Sequence, residues 1–224
     1  MPFLLGPSFL ILLPAIILAA YAQWKVRSTY STYSKVSASS RATAQEVAEQ
    51  ILTDAMITGV TIESSQQPLS DHYDPKKKVL RLSAPASSSI AAIGVAAHEA
   101  GHAIQHARSY APLSLRTAIV PVAKFGSQLA FPLFFIGLFA RMQPLVTVGI
   151  LAFSAAVFFT LITLPVEFDA SRRAIAALRE TTVVTEEELG SVKEVLFAAA
   201  LTYVAAAAMA ALQLFMLLSV SRRR

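Results

Sequence analysis

The sequence predicts a mainly α integral membrane protein, built from four transmembrane helices and a small α+β portion. Three observations carry that expectation. Of 224 residues, 55% are hydrophobic and only 15% charged, where an ordinary soluble domain has about 25% charged. The mean hydropathy is +0.56. Four stretches come close to the run of about 20 mostly apolar residues that crosses hydrocarbon as a helix. A soluble chain of this length lacks the interior volume to hide so much apolar surface, and intrinsic disorder needs the opposite balance. The absence of cysteine excludes a disulfide scaffold, zinc thiolate sites, iron–sulfur clusters and a cysteine nucleophile. The net charge of +5 and pI near 9.6 do not point to nucleic acid. The positive residues cluster beside apolar runs, as at cytoplasmic membrane flanks.

The first transmembrane helix is expected within residues 1–22, where 3–22 carry no charge. A signal peptide is the rival, with Ala20-Tyr21-Ala22 resembling a cleavage site, but Met1-Pro2 supplies no basic n-region, so an uncleaved anchor is expected. Residues 117–140 and 144–164 form a helical hairpin around Arg141-Met142-Gln143, and Lys124 near the start of the former either snorkels or faces the bundle. The fourth span lies within 195–220, with Ala205–Ala208 offering small residues for close helix contact. Four spans place the polar regions 23–116 and 165–194 on one side. Lys25, Arg27, Lys35, Arg108, Arg116, Arg172, Arg173, Arg179 and Lys193 favour that side as cytoplasmic, against Arg141 and the terminal Arg222-Arg223-Arg224.

In the first polar region, residues 28–40, rich in Ser, Thr and Tyr, read as a linker. Thr43-Ala44-Gln45-Glu46 fits a helix capping box, with Val47, Ile51 and Met56 on one face of a helix ending near Gly59. Strand-like runs follow at Val60–Glu63 and Val79–Ser83, separated by the turn-prone Asp71-His72-Tyr73-Asp74-Pro75. Strand 79–83 suits either edge pairing with an extended peptide or a purely scaffold role. Ser87-Ser88-Ser89 caps a long helix from about Ile90 to Tyr110.

That helix carries His98-Glu99-Ala100-Gly101-His102, the pattern H-E-x-x-H. Positions i and i+4 share a helix face, so both imidazoles can reach one Zn²⁺ ion, and Glu99 beside them can act as general base toward water activated there. The rival is a polar helix surface with solvated histidines. Against it, the motif interrupts the apolar run Ile90–Ala97, three of the chain's four histidines lie on this helix, and charge beside membrane spans is costly unless paired or functional. A catalytic zinc needs a third protein ligand. His106 is poorly placed, since eight residues of helix rise about 12 Å. It reads better as structural or as a support for a ligand. Glu167, just past the third span, is the leading carboxylate and Asp169 its rival, while Glu186-Glu187-Glu188 reads as a helix first turn capped by Thr185. His72, Tyr73, Tyr203, Arg172 and Arg173 are candidate donors to the oxyanion.

Five stretches resemble the YugP-like membrane zinc metallopeptidases, the neutral zinc metallopeptidases of gluzincin type. They are Leu69-Ser-Asp-His-Tyr-Asp-Pro75, Val79-Leu-Arg-Leu-Ser83, His98-Glu-Ala-Gly-His-Ala-Ile-Gln-His106, Leu164-Pro-Val-Glu-Phe-Asp-Ala-Ser-Arg-Arg-Ala174 and Ala199-Ala-Leu-Thr-Tyr-Val-Ala-Ala206. The resemblance implies a zincin-like α+β portion, His98, His102 and Glu167 as zinc ligands, and Glu99 as catalytic base. A more distant similarity to HtpX-type and CAAX-prenyl proteases brings a departure. Those carry Asp four residues after the ligand Glu to support a zinc-binding histidine, where this chain has Ser171, leaving Asp169 or another residue to serve.

The expectation is thus a membrane-embedded zinc metalloendopeptidase, acting on peptide or protein substrates that include membrane-associated ones. It would sit in the cell (inner) membrane with its active site facing the cytoplasm, contacting lipid and no nucleic acid. The rivals are a non-proteolytic zinc-binding membrane scaffold or chaperone, and a transporter. Lys124, the sole ionic residue well inside a span, is too little for an ion relay.

Overall fold

The computed structural model describes residues 10–67 and 70–222. They fall into two compact units.

One unit comprises residues 24–113 and 166–201. It contains the end of α1 (Leu13–Tyr33), α2 (Ala44–Asp54), β1 (Thr61–Ser64), β2 (His72–Asp74), β3 (Val79–Leu82) and α3 (Ile90–Ala107). The last turns of α5 (Gln143–Thr181) and the first of α6 (Glu186–Arg222) complete it. Helix α2 starts where the capping box predicts: the Thr43 hydroxyl accepts from the Glu46 N–H, and the Glu46 carboxylate accepts from the Thr43 N–H at 2.7 Å. Val47, Ala48, Ile51 and Leu52 recur at helical spacing and are buried. The helix stops at Asp54, earlier than the sequence suggested. Met56 takes a left-handed φ of 57° and turns outward, 84% exposed, instead of extending the buried face.

The sheet order is β1-β3-β2, with β1 parallel and β2 antiparallel to β3. The expected turn at 71–75 is therefore partly strand: His72–Asp74 pair with Arg81–Val79. The turn begins only at Asp74, whose Oδ1 accepts from the Lys76 and Lys77 N–H groups at 2.9 and 3.2 Å. Strand β3 is the central strand, paired on both sides, so its reading as an edge for peptide addition is overturned. Its Leu80 and Leu82 enter the core with Ile51, Ile90, Ile93, Leu178, Leu189 and Val192.

The expected linker at 28–40 is not one either. Helix α1 continues to Tyr33, with the Thr32 hydroxyl donating back to the Ser28 carbonyl. Beyond it Ser37 bridges to Ser89 and the Ser39 N–H donates to the Glu188 carboxylate at 2.7 Å. Ser89 caps α3 by accepting from the Ala92 N–H. Thr185 and Glu188 form a reciprocal capping box at the start of α6.

The other unit comprises 10–23, 114–165 and 202–222 among the described residues. Helix α4 (Ala111–Phe139) and α5 form a hairpin, and Arg141 (φ 57°) turns the chain between them. Phe134, Leu138, Val146, Phe153, Val157 and Leu217 make its core. Glycines allow the backbones to meet. A Cβ on Gly149 would lie 2.7 Å from the Phe134 nitrogen, and one on Gly126 would lie 2.6 Å from the Ala152 carbonyl, the close contact expected of helices packing in lipid. Phe125, Phe139, Leu151, Phe158 and Phe215 point outward, so these helices are apolar outside as well as inside. Helices α4, α5 and α6 are long and apolar enough to cross a membrane. The start of the first predicted span, 3–9, lies outside the described residues, and its remainder belongs to a helix that runs past Ala22 to Tyr33. Helix α5 runs on through Pro165 to Thr181, tolerating the lost donor, so Glu167 lies on the same helix as the third predicted span. Lys124 is exposed.

Glu188 joins the start of α6 to the 34–43 loop. Burial acts to raise its carboxyl, but the Thr185 and Ser39 hydrogen bonds outweigh that and hold it below its ordinary value of 4.5. A depressed carboxyl contributes stability that is complete above its unfolded pKa and lost as pH falls through its folded value. Glu188→Ala should therefore lower the Tm in detergent at pH 7, with the gap to wild type closing as the pH drops below about 4.5. A gap independent of pH contradicts the assignment.

Candidate metal centre

The centre is set by how closely α3 and the end of α5 approach. His98 and His102 stand one turn apart on α3 and share a face. Gly101 lies on the flank of that face turned toward α5, where a Cβ would collide with the Ala170 carbonyl oxygen. Only the missing side chain allows the approach. Ala170 is about one turn beyond Glu167, so the contact delivers the Glu167 carboxylate to the two imidazoles.

The Glu167 Oε2 lies 3.2 Å from the His98 Nε2 and 3.6 Å from the His102 Nε2. One ligand atom from each of the three residues falls within 4.8 Å of the others. A tetrahedral ion with bonds of about 2.1 Å has ligand–ligand edges of about 3.4 Å, close to the two distances from Glu167, so two imidazole nitrogens and a carboxylate oxygen could hold one metal ion here. Glu167 is 2% exposed, and Glu99 and His102 are also buried. Two buried carboxylates make this a pocket that favours positive charge. Burial acts to raise the Glu167 carboxyl, but hydrogen bonds and charge from His102 and His98 hold it far below the usual carboxylate range. Burial acts to lower His102, yet the hydrogen bond to Glu167 and the charges of Glu99 and Glu167 raise it above its ordinary value.

A further layer of hydrogen bonds fixes the imidazoles. The His102 Nδ1 meets the Gln105 Oε1 at 3.0 Å. The Gln105 amide donates at 2.8 Å to the Val166 carbonyl and at 2.9 Å to the Asp169 carboxylate. With its NH₂ committed to two acceptors, the Gln105 oxygen must accept. That places a proton on the His102 Nδ1 and leaves Nε2 as the ring nitrogen facing Glu167, the atom that would meet a metal. The Ser171 hydroxyl takes the corresponding place at the His98 Nδ1, 3.1 Å away. Ser171 thus stands on His98 where the related proteases were expected to carry Asp, and Asp169 reaches His102 through Gln105. Arg172 and Arg173 both bind Asp169, and Arg173 also lies over the Tyr110 ring.

The remaining candidates are not part of the three-residue group. The His106 Nδ1 pairs with the Tyr73 hydroxyl at 2.9 Å, outside the three-residue group. His72 neighbours Tyr73 along β2, so it faces the opposite side of the sheet. There its Nδ1 contacts the Ser70 carbonyl and its Nε2 the Arg81 guanidinium. Tyr203 lies on α6 in the other unit. Two contributors escaped the sequence reading. Gln105 was legible only as an uncharged polar residue three positions after His102 and seven after His98. Gly101 was hidden among the variable positions of the motif.

Glu167→Ala should lose stoichiometric zinc, measured by atomic emission on purified protein, while His106→Ala stays near wild type. The reverse result would overturn the ligand set. Gln105→Leu, which fills the same space without the amide, should weaken zinc affinity by about 10- to 100-fold in competition with a chelator. Unchanged affinity would show that Gln105 does not orient His102.

Residues 8–222 match the family described as "putative neutral zinc metallopeptidase". The chain is also 49% identical over 195 residues to the Bacillus subtilis (strain 168) protein named "Putative membrane protease YugP", covering 86% of this chain and 87% of that one. No solved structure matches the chain. With nearly its whole length matched, the chain belongs to the family described as "putative neutral zinc metallopeptidase".

Proposed function

We propose that the protein is a zinc metalloendopeptidase of the cell membrane that hydrolyses peptide bonds with Glu99 as general base. The observation that supports it most is the convergence of His98, His102 and Glu167 within 4.8 Å beside a second, buried carboxylate, Glu99. Zinc held by those three residues would supply Lewis acidity, making water acidic near neutral pH and polarising the scissile carbonyl. Glu99 does the proton work. It takes a proton from water as the oxygen attacks the carbonyl carbon, then passes it to the amine nitrogen as the C–N bond breaks. No covalent acyl intermediate forms. Gln105 and Ser171 keep both imidazoles aimed at the centre throughout.

Membrane-associated or unfolded proteins are the substrates this layout suits. The relative's printed name is that of a membrane protease, and three helices have the length and apolarity of spans. The Lys and Arg flanks of the polar segments favour a cytoplasmic active site.

Glu99→Gln should retain zinc and lose peptide cleavage by about 10²- to 10⁴-fold, read by mass spectrometry of peptide products. Cleavage at the wild-type rate in a pure Glu99→Gln preparation contradicts the mechanism. Zinc binding with no cleavage in the wild-type protein would favour a zinc-binding scaffold instead.

A further inference from the structure

A second cleft, of about 460 Å³, lies farther along α3. Ala103, His106 and Ala107 of α3 form one wall, with Tyr73 of β2 and the segment after α2 around them. At 100° per residue Glu99, Ala103 and His106 share one face of the helix, offset from His98 and His102. The cleft therefore lies along the helix face that also carries the proposed base, although Glu99 itself is not part of its lining. Glu99 and His106 are separated by about 10.5 Å of helix rise, the length of about three residues of extended peptide.

The lining of this cleft has a definite sign. Lys78 and Arg108 both border it, and no carboxylate does. Lys78 is anchored by a left-handed turn residue's backbone, φ 54°, directly before β3. Asp74, the nearest acid along the hairpin, is occupied with the Lys76 and Lys77 N–H groups. Arg108 also borders a neighbouring hollow that Asp54 and Glu180 line, which Lys78 does not. The Tyr73 hydroxyl and the His106 Nδ1 hold each other at 2.9 Å, giving a fixed polar wall above an apolar floor of Val60, Ile57 and Ala103. Met56 is held outward in solvent by its own left-handed φ, an exposed apolar side chain at the border of the cleft. Cations over an apolar floor fit an aliphatic segment that ends in an anion.

We propose that this cleft is a substrate subsite that accepts a carboxylate about three residues from the scissile bond, with Lys78 the selecting cation and Arg108 its partner. The carboxylate comes either from an acidic side chain or from a peptide's own C-terminus. The inference rests on the peptidase reading of the neighbouring centre and extends it to specificity.

Binding to the zinc-loaded Glu99→Gln protein in detergent tests it without relying on turnover. Labelled hexapeptides would carry Glu or Gln at each position in turn, and a free or amidated C-terminus. One acidic position, or the free terminus, should tighten binding about fivefold, the scale of a partly exposed charge pair. Lys78→Glu should remove that preference, and Arg108→Glu should weaken it. A preference confined to the free terminus identifies the C-terminal carboxylate as the source, and one confined to Glu identifies the side chain. Equal affinity for acidic and neutral peptides overturns the proposal. So does a Lys78-dependent affinity for vesicles containing phosphatidylglycerol without any peptide preference, which would mark a lipid headgroup site. Cleavage by the active protein separates the two readings. Products with no acidic preference sink the subsite and leave the peptidase standing. No products, together with a Lys78-dependent acidic preference in binding, keep the carboxylate site and sink the peptidase.

Discussion

The absent side chain at Gly101 is the constraint on which the site depends. With any Cβ there, α3 would meet the Ala170 carbonyl of α5 and the helices would have to part. The Glu167 carboxylate, about one turn before Ala170, would then be drawn away from the imidazoles. Metal–ligand bonds are defined to about 0.2 Å, so a displacement on the scale of a methyl group would weaken the centre. The backbones of α3 and α5 can touch because the residues between them are Gly101, Ala100, Ala170 and Ala174, all buried and all small. The apolar, alanine-rich character of α3 is thus the packing condition for its two histidines.

Electrostatics then makes the contact specific. Burying Glu167 and Glu99 together is unfavourable unless positive charge joins them. Glu167 is held below and His102 above its ordinary value because carboxylate and imidazole face each other there, the same charge balance that would favour a cation among them. The Gln105 amide decides how the cation is met. Its two donors are spent on Val166 and Asp169, so its oxygen orders the proton on His102. Ser171 does the corresponding work for His98 with a hydroxyl. The arrangement answers to the same need as a carboxylate four residues after the ligand, with a different residue beneath each imidazole.

Much of this was legible in the residues themselves. Capping boxes at Thr43 and Thr185 announce helix starts because their chemistry is local. The histidine pair on α3 is legible because a spacing of four fixes a helix face. The extent of α5 was harder to read. A proline after an apolar run looks like an end, yet Pro165 gives up only one donor and the helix continues, carrying Glu167 and Asp169 on its surface. The 28–40 segment looked like a linker by composition, whereas its hydroxyls satisfy backbone carbonyls within α1 and its backbone is tied to Ser89 and Glu188. Strand order was not legible at all. Nothing local tells β3 that β1 and β2 will take both its edges, and long-range pairing is set by which faces bury Leu80 and Leu82. Gln105 and Gly101 escaped because their roles exist only once α5 has arrived.

The zinc-edge X-ray absorption spectrum of the purified, metal-loaded protein tests the central claim most directly. Two imidazole nitrogens and carboxylate oxygen at about 2.0–2.2 Å, with one imidazole contribution lost in His102→Ala, is the predicted result. A shell of three imidazoles, or a spectrum of hydrated zinc unchanged by substitution of His98, His102 or Glu167, would contradict it.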